Sequence, residues 1–355
     1  MSHTASAKKE CNRILICRTD RIGDVLLSTP VIRAVREAFP SAYIAMVVSP
    51  AAKEVVEANP WLDKVFVYDK LAKHKSWLGT LRFALRLKKE RFDLCLILHP
   101  TNRMHWVSFL AGIPRRVGYD RKSGFLLTER MPHHKHFGAK HESEYTLDMV
   151  RYAGIETHGR SALYMPLRPE AEAWVRELFI SEGLKETDRI LAIHPAASCP
   201  SKIWPAERFA EAADRLAEKY GFKLAIIAGP KDMARAGEVV GLLKHPVLNL
   251  AGRTSVAQLA AFLKRCSLFV SNDSGPVHIA SAVGTPVISI FGRNQKGLSP
   301  RRWGPLGEHD KVLHKQVGCI ECRAHNCIKG FVCLKAITAE DVLNAAADIM
   351  RTVSS

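Results

Sequence analysis

Short apolar runs alternate with amphipathic helical patterns along nearly the whole chain, and no other feature restricts the possible folds as much. The runs occupy residues 14–17, 44–48, 65–67 and 94–98, with a short one at 116–118, and then 190–194, 224–228, 247–250, 268–271 and 287–291. Each is continuous rather than alternating, the pattern of a strand buried on both faces, and such strands belong to parallel sheets covered by helices. The expected fold class is α/β with doubly wound parallel sheets. A helical pattern over residues 142–152 and a loop-rich stretch over 160–168 separate the two sets of runs, which places one domain in residues 1–165 and a second in 166–355. Two Rossmann-like domains facing a cleft are expected, with the strand ends of both pointing into it and the last helix packing back on the first domain.

The residues at the end of each run decide the chemistry. The first run stops at Arg18 and leads through Asp20, Arg21 and Gly23 to Asp24, after which Val25, Leu26, Val31, Ile32 and Val35 recur at helical spacing. Asp24 thus stands at a strand-to-helix junction, where an open α/β sheet binds ligands and an enzyme keeps a catalytic base; a plain helix-capping role accounts for the same pattern. The turn Asp273-Ser274-Gly275-Pro276 repeats this logic after residues 268–271, with Pro276 in the first helical turn and amides that suit an anion such as a diphosphate. It is neither a Walker loop nor a dinucleotide fingerprint. After residues 190–194 come Ser198, Ser201 and Lys202, a cation and two hydroxyls able to meet a phosphate. Gly229 and Gly292 end two further runs and let a ligand approach the backbone.

The 355 residues carry a net charge of +17. Between Lys70 and Arg91 the basic residues Lys70, Lys73, Lys75, Arg82, Arg86, Lys88, Lys89 and Arg91 face one acid, Glu90, and are interleaved with Trp77, Leu78, Leu81, Phe83, Leu85 and Leu87. This pattern predicts an amphipathic basic helix, fit for an anionic membrane surface, a phosphorylated substrate or nucleic acid, or simply solvated. Nucleic acid is set aside because no helix-turn-helix or aromatic-basic sheet pattern accompanies the charge. No apolar run approaches a membrane span, and the polar residues 1–10 lack the core of a signal peptide, so a cytoplasmic protein is expected. Cys17, Cys95 and Cys266 lie in apolar patterns as small hydrophobes. Cys319, Cys322, Cys327 and Cys333 suit zinc, an iron–sulfur cluster, a disulfide or structural thiols; their spacing fits no standard metal motif, and no metal is assigned.

The segments Asp20 to Pro30, Gly118-Tyr119-Asp120-Arg121-Lys122 with Gly124 to Thr128, Lys202-x-Trp204-Pro205 and Asn272-Asp273-Ser274-Gly275-Pro276-x-His278 together resemble the heptosyltransferases of glycosyltransferase family 9. The resemblance implies a GT-B fold and an inverting transfer of heptose from ADP-heptose to the lipopolysaccharide inner core, Kdo-lipid A or heptosyl-Kdo-lipid A, with no cofactor required. It makes Asp24 the general base and Lys202 the phosphate-binding lysine. Ser198, Gly229, Asp273, Ser274, Gly275, Pro276 and His278 would then bind the nucleotide-sugar donor, with Asp273 on a sugar hydroxyl. Asp20, Arg21, Gly23, Arg121, Lys122 and His141 would bind the anionic glycolipid acceptor, together with the rest of the basic first half and the loop of His133, His134, Lys135, His136 and Lys140. Such an enzyme would work at the inner face of the cytoplasmic membrane, peripherally attached. A transferase using another nucleotide sugar, or a noncatalytic nucleotide-sugar binder, satisfies the same motifs.

Overall fold

The computed structural model describes residues 11–157 and 162–353. The polar residues 1–10 and positions Arg160 and Ser161, where the predicted linker starts, lie outside the described residues. Contacts divide the chain into two compact units. The first holds residues up to Lys135 together with Glu142–Pro166, and the second holds His136–His141 and the chain from Leu167 onward.

The first unit is built on β1 (Arg13–Cys17), β2 (Tyr43–Val48), β3 (Lys64–Val67), β4 (Leu94–Ile97), β5 (Arg115–Tyr119) and β6 (Glu129–Met131). They pair in parallel in the order β3-β2-β1-β4-β5-β6. Ile14, Leu15, Ile16 and Cys17 are fully or almost fully buried, as a strand covered on both sides requires. Cys17 and Cys95 face each other across neighbouring strands at 3.7 Å as thiols, and their contact and burial push the Cys17 pKa upward. The helical pattern after Asp24 is interrupted: a short helix Ile22–Leu26 gives way to Thr29–Ala38, which starts with Pro30 in its first turn.

The second unit repeats the plan with β7 (Ile190–His194), β8 (Lys223–Ile226), β9 (Val247–Asn249), β10 (Leu268–Asn272), β11 (Val287–Ile290) and β12 (Lys311–Leu313). The order β12-β11-β10-β7-β8-β9 is the first sheet's order read from the other edge, again all parallel. In both sheets the order reverses beside the first strand, between β1 and β4 and between β7 and β10. That is the crevice where doubly wound sheets take ligands.

Trp204 anchors this second core. It is fully buried, its ring meets Phe209 edge-on at 4.8 Å, and its indole N–H donates to the Ile337 carbonyl at 3.0 Å. The helix Ala206–Tyr220 buries its alanine-rich face and ends at Gly221, whose φ of 68° is the left-handed conformation glycine tolerates best. The last helix, Ala339–Val353, lies against it and supplies Val342, Ala346 and Ile349 to the same core. Strands β6 and β12 escape the sequence pattern because they are three-residue edge strands with exposed or half-buried side chains.

Candidate active site

In the first unit the residue that organises the strand end is Arg18, to which the sequence pattern assigns no role. Its side chain is about 1% exposed. Nε bonds Asp20 Oδ1 at 2.8 Å, Nη2 bonds Asp24 Oδ1 at 2.9 Å, and Nη1 bonds Glu142 Oε1 at 3.1 Å. Lys135, also buried, adds a second cation on Glu142 at 2.7 Å. The expected histidine-rich loop therefore does not present Lys135 to a ligand, because its ammonium is turned inward to pair with Glu142. Burial alone would lower the Arg18 pKa, but the surrounding carboxylates outweigh it and hold the guanidinium charged.

Asp24 lies inside the first turn of the short helix, whose N-cap position is Arg21, so it charges that turn without capping it. Burial raises its pKa, and the neighbouring Asp20 and Glu142 reinforce the shift, against the pull of Arg18. Only Oδ1 is bonded to a protein side chain; Oδ2 has no partner among the described residues. A carboxylate fixed through one oxygen, with the other open and its basicity raised, has the features of a general base. Gly23, its neighbour in the same helix, is buried, and Asp20 pairs with Arg18 and lies 3.7 Å from His99. Burial, with the charges of Arg18 and Lys135, lowers the His99 pKa to about 4. Arg121 and Lys122 stand exposed on the turn after β5, outside this network.

In the second unit a chain of contacts joins the ends of β7 and β10. Asn272 donates from Nδ2 to the Pro195 carbonyl at 2.7 Å and accepts the Trp204 amide at 3.0 Å, so the buried tryptophan and this asparagine fix the segment that carries Lys202. Lys202 Nζ reaches Asp273 Oδ2 at 3.1 Å, and Arg293 Nη2 reaches the same oxygen at 2.6 Å. Burial lowers the Lys202 pKa, with Asp273 opposing. Arg293 comes directly after Gly292 at the end of β11, one residue beyond the last position the sequence pattern singles out. Gly292 itself is small for packing. A side chain there would meet the Ser201 carbonyl and Leu334 at 2.6 Å.

Ser274 is the N-cap residue of the helix Gly275–Ala282 but does not cap it with its side chain. Its hydroxyl is held instead by His194 Nδ1 at 3.2 Å and Ser271 Oγ at 3.0 Å. The positive end of a helix with Pro276 in its first turn is thereby left to an outside anion. His278 Nδ1 and Arg293 Nε are buried without a hydrogen-bond partner. His141 belongs to this unit, bonding the Gly304 carbonyl at 2.9 Å, and its charge opposes protonation of His278. Ser198 and Gly229 are exposed at the ends of β7 and β8.

The four-cysteine segment also lies in this unit. Cys319 is exposed, Cys322 Sγ accepts the Asn294 amide at 3.4 Å, and Cys333 Sγ donates to the Gly292 carbonyl at 3.1 Å. All nine cysteines are free thiols, and among the described residues no three His, Cys, Asp or Glu side chains gather as a metal would require.

Burial pushes both His194 and His278 down to about 4. Their unfolded forms take up protons from about pH 6.5 downward while the folded forms do not, so stability present above that pH is lost as pH falls toward 4. The raised Asp24 pKa contributes in the opposite direction. The melting temperature of the protein is expected to drop between pH 7 and 4, with each histidine contributing on the order of 3 kcal/mol. Histidine-to-asparagine variants should flatten the profile; an unchanged slope refutes the buried neutral state.

Two parallel sheets of this order, each with ionic residues gathered where the order reverses, define a fold of the GT-B glycosyltransferase class. Residues 80–332 match the sequence model of glycosyltransferase family 9 (heptosyltransferase). The chain belongs to this family and is a glycosyltransferase. It is 26% identical over 345 residues to lipopolysaccharide heptosyltransferase 3 of Escherichia coli K12, covering 92% of this chain and 95% of that protein. The crystal structure of a family 9 glycosyl transferase from Veillonella parvula superposes with a TM-score of 0.86 at 26% identity, over 96% of this chain and 98% of that one. Escherichia coli heptosyltransferase WaaC with ADP shares the fold at a TM-score of 0.73 and 19% identity, over 95% and 99% of the two chains. No helix among the described residues is long and apolar enough to cross a membrane.

Proposed function

We propose that this chain transfers heptose from ADP-heptose, with inversion, to a hydroxyl of the lipopolysaccharide inner core, Kdo-lipid A or heptosyl-Kdo-lipid A. The observation that carries the reading is Asp24, held by buried Arg18 through one oxygen and open at the other. As the acceptor oxygen attacks the anomeric carbon, Asp24 Oδ2 takes its proton and the bond from that carbon to the diphosphate breaks. Lys202, Arg293 and the start of the helix Gly275–Ala282 receive the charge that develops on the departing ADP. At neutral pH His194 and His278 are uncharged and the cations outnumber Asp273, which favours a diphosphate. The unpartnered His278 Nδ1 and Arg293 Nε are further polar groups for the donor. Ser198, Gly229, Ser274 and Pro276 complete its surroundings, while Asp20, Arg21, Gly23, Arg121, Lys122 and His141 serve the acceptor. An anionic glycolipid suits the basic first unit, with the protein peripheral on the inner face of the cytoplasmic membrane.

Thermal shifts with ADP-, GDP- and UDP-sugars test the donor. ADP-heptose should stabilise most, and Lys202→Ala should weaken its binding roughly tenfold or more, the loss of a charge-assisted hydrogen bond. A preference for UDP-sugars sinks the heptose assignment. The acid limb of kcat/KM should lie above the ordinary aspartate range, because the raised Asp24 must be deprotonated to act.

A further inference from the structure

The helix Trp77–Lys89 has two apolar stripes. Gly79, Thr80, Phe83, Ala84 and Leu87 face the core, as expected of an amphipathic helix, whereas Trp77, Leu78, Leu81 and Leu85 are exposed on another side. Trp77 is 56% exposed and leads directly into a group of aromatic rings. Its ring meets Trp106 edge-on at 5.8 Å, and Trp106 in turn meets Phe109 at 6.2 Å and Phe125 at 6.4 Å. Phe125 is 69% exposed. Single exposed hydrophobes are ordinary, but a contiguous stripe of leucines and aromatic rings marks an interaction site.

The surface is basic, and arginines tie its rings to the neighbouring backbone. Arg103 lies over the Trp77 ring at 5.5 Å and donates to the carbonyls of Lys75 at 2.6 Å and His74 at 3.1 Å, which pins the preceding loop. Arg116 lies over Phe109 at 5.6 Å. Nearby acids are already engaged: Glu90 pairs with Arg13 and Lys64, and Asp69 accepts the Leu71 and Ala72 amides. No acid pairs with Lys73, Lys75, Arg82, Lys88 or Lys89 among the described residues, and all five are exposed.

We propose that this aromatic and leucine surface of the first unit inserts into the headgroup region of an anionic lipid bilayer, with the surrounding lysines and arginines on the lipid phosphates. It deepens the membrane-side acceptor reading above and rests on it for the choice of an anionic surface. Aromatic rings and leucines suit the boundary between acyl chains and headgroups, while unpaired lysines supply the attraction that draws the protein there. A nucleic acid would use the charge but not Leu78, Leu81 and Leu85, which offer no stacking face.

Flotation with vesicles of phosphatidylcholine containing phosphatidylglycerol, or of phosphatidylcholine alone, tests this. The protein should float with the anionic vesicles, with a blue shift of tryptophan emission. A Trp77→Ser, Leu81→Ser, Phe125→Ser variant should bind at least tenfold more weakly while keeping its donor thermal shift and its transfer to a lipid-free acceptor fragment. Absence of vesicle binding, equal binding by the variant, or loss of a wild-type oligomer in the variant with vesicle binding intact each overturns the proposal, the last by assigning the surface to a second copy of the chain. Failure of the donor assay with vesicle binding intact would remove the proposed reaction and leave the lipid surface standing.

Discussion

Asp24→Asn is expected to lower kcat by about 10²–10⁴-fold while ADP-heptose affinity stays within a factor of two or so, the range general-base removal produces. The substitution preserves the shape of the side chain and an oxygen for Arg18 Nη2, now 2.9 Å from Oδ1, but removes the basic oxygen at Oδ2. A donor thermal shift and a single-turnover transfer assay on the same preparation separate the two effects. Asp20→Asn serves as the comparison. Asp20 also pairs with Arg18, at 2.8 Å, so its loss disturbs the same network without deleting the proposed base and should cost much less. Unchanged turnover in Asp24→Asn would end the assigned role, and equal losses in both variants would mean that the network as a whole, not Asp24, is being measured.

Arg18→Met is expected to destabilise the first unit by about 3–5 kcal/mol, the usual cost of removing one partner from a buried ionic group. Asp20, Asp24 and Glu142 all pair with this guanidinium, and Glu142 is itself about 1% exposed. Without Arg18, Lys135 remains on Glu142, but Asp24 keeps no cation that bonds it. Denaturant unfolding of the variant should show the loss, and combining Arg18→Met with Asp24→Asn should recover part of it, since the second change removes the charge left without a bonded cation. A loss below about 1 kcal/mol would show that the network is solvated in practice and that burial does not set the Asp24 pKa. The same variant should move the acid limb of the rate profile upward, because the one influence drawing that pKa down is gone.

The core strands were legible because a strand covered on both faces must be apolar at every position, a constraint local to four or five residues. The edge strands Glu129–Met131 and Lys311–Leu313 obey no such constraint and were invisible. Strand ends were legible for a related reason: an apolar run broken by Arg18, His194 or Asp273 marks where the sheet meets polar surroundings. The rule applied one residue further would have found Arg293, which ends the Val287–Ile290 strand as Lys202 follows its own. A histidine-rich, basic segment reads as a solvated loop, while the burial of Lys135 depends on Glu142, an acid seven residues away that the composition does not single out.

By itself the sequence determined two parallel sheets, where each strand stops, and the motifs that put Asp24, Lys202 and the Asp273 turn at those stops, since period and apolarity are properties of neighbouring residues. Which charges share a buried volume was decided only in three dimensions. Arg18 meets Glu142 across 124 residues, Lys202 meets Asp273 across 71, and the exposed Trp77 finds Trp106 on another helix. Ionic and aromatic partners of this kind are set by proximity in the folded structure, which local period and apolarity do not encode. The raised pKa of Asp24, the uncapped helix at Ser274 and the exposed aromatic surface therefore arise from the tertiary structure, because burial and distance set each of them.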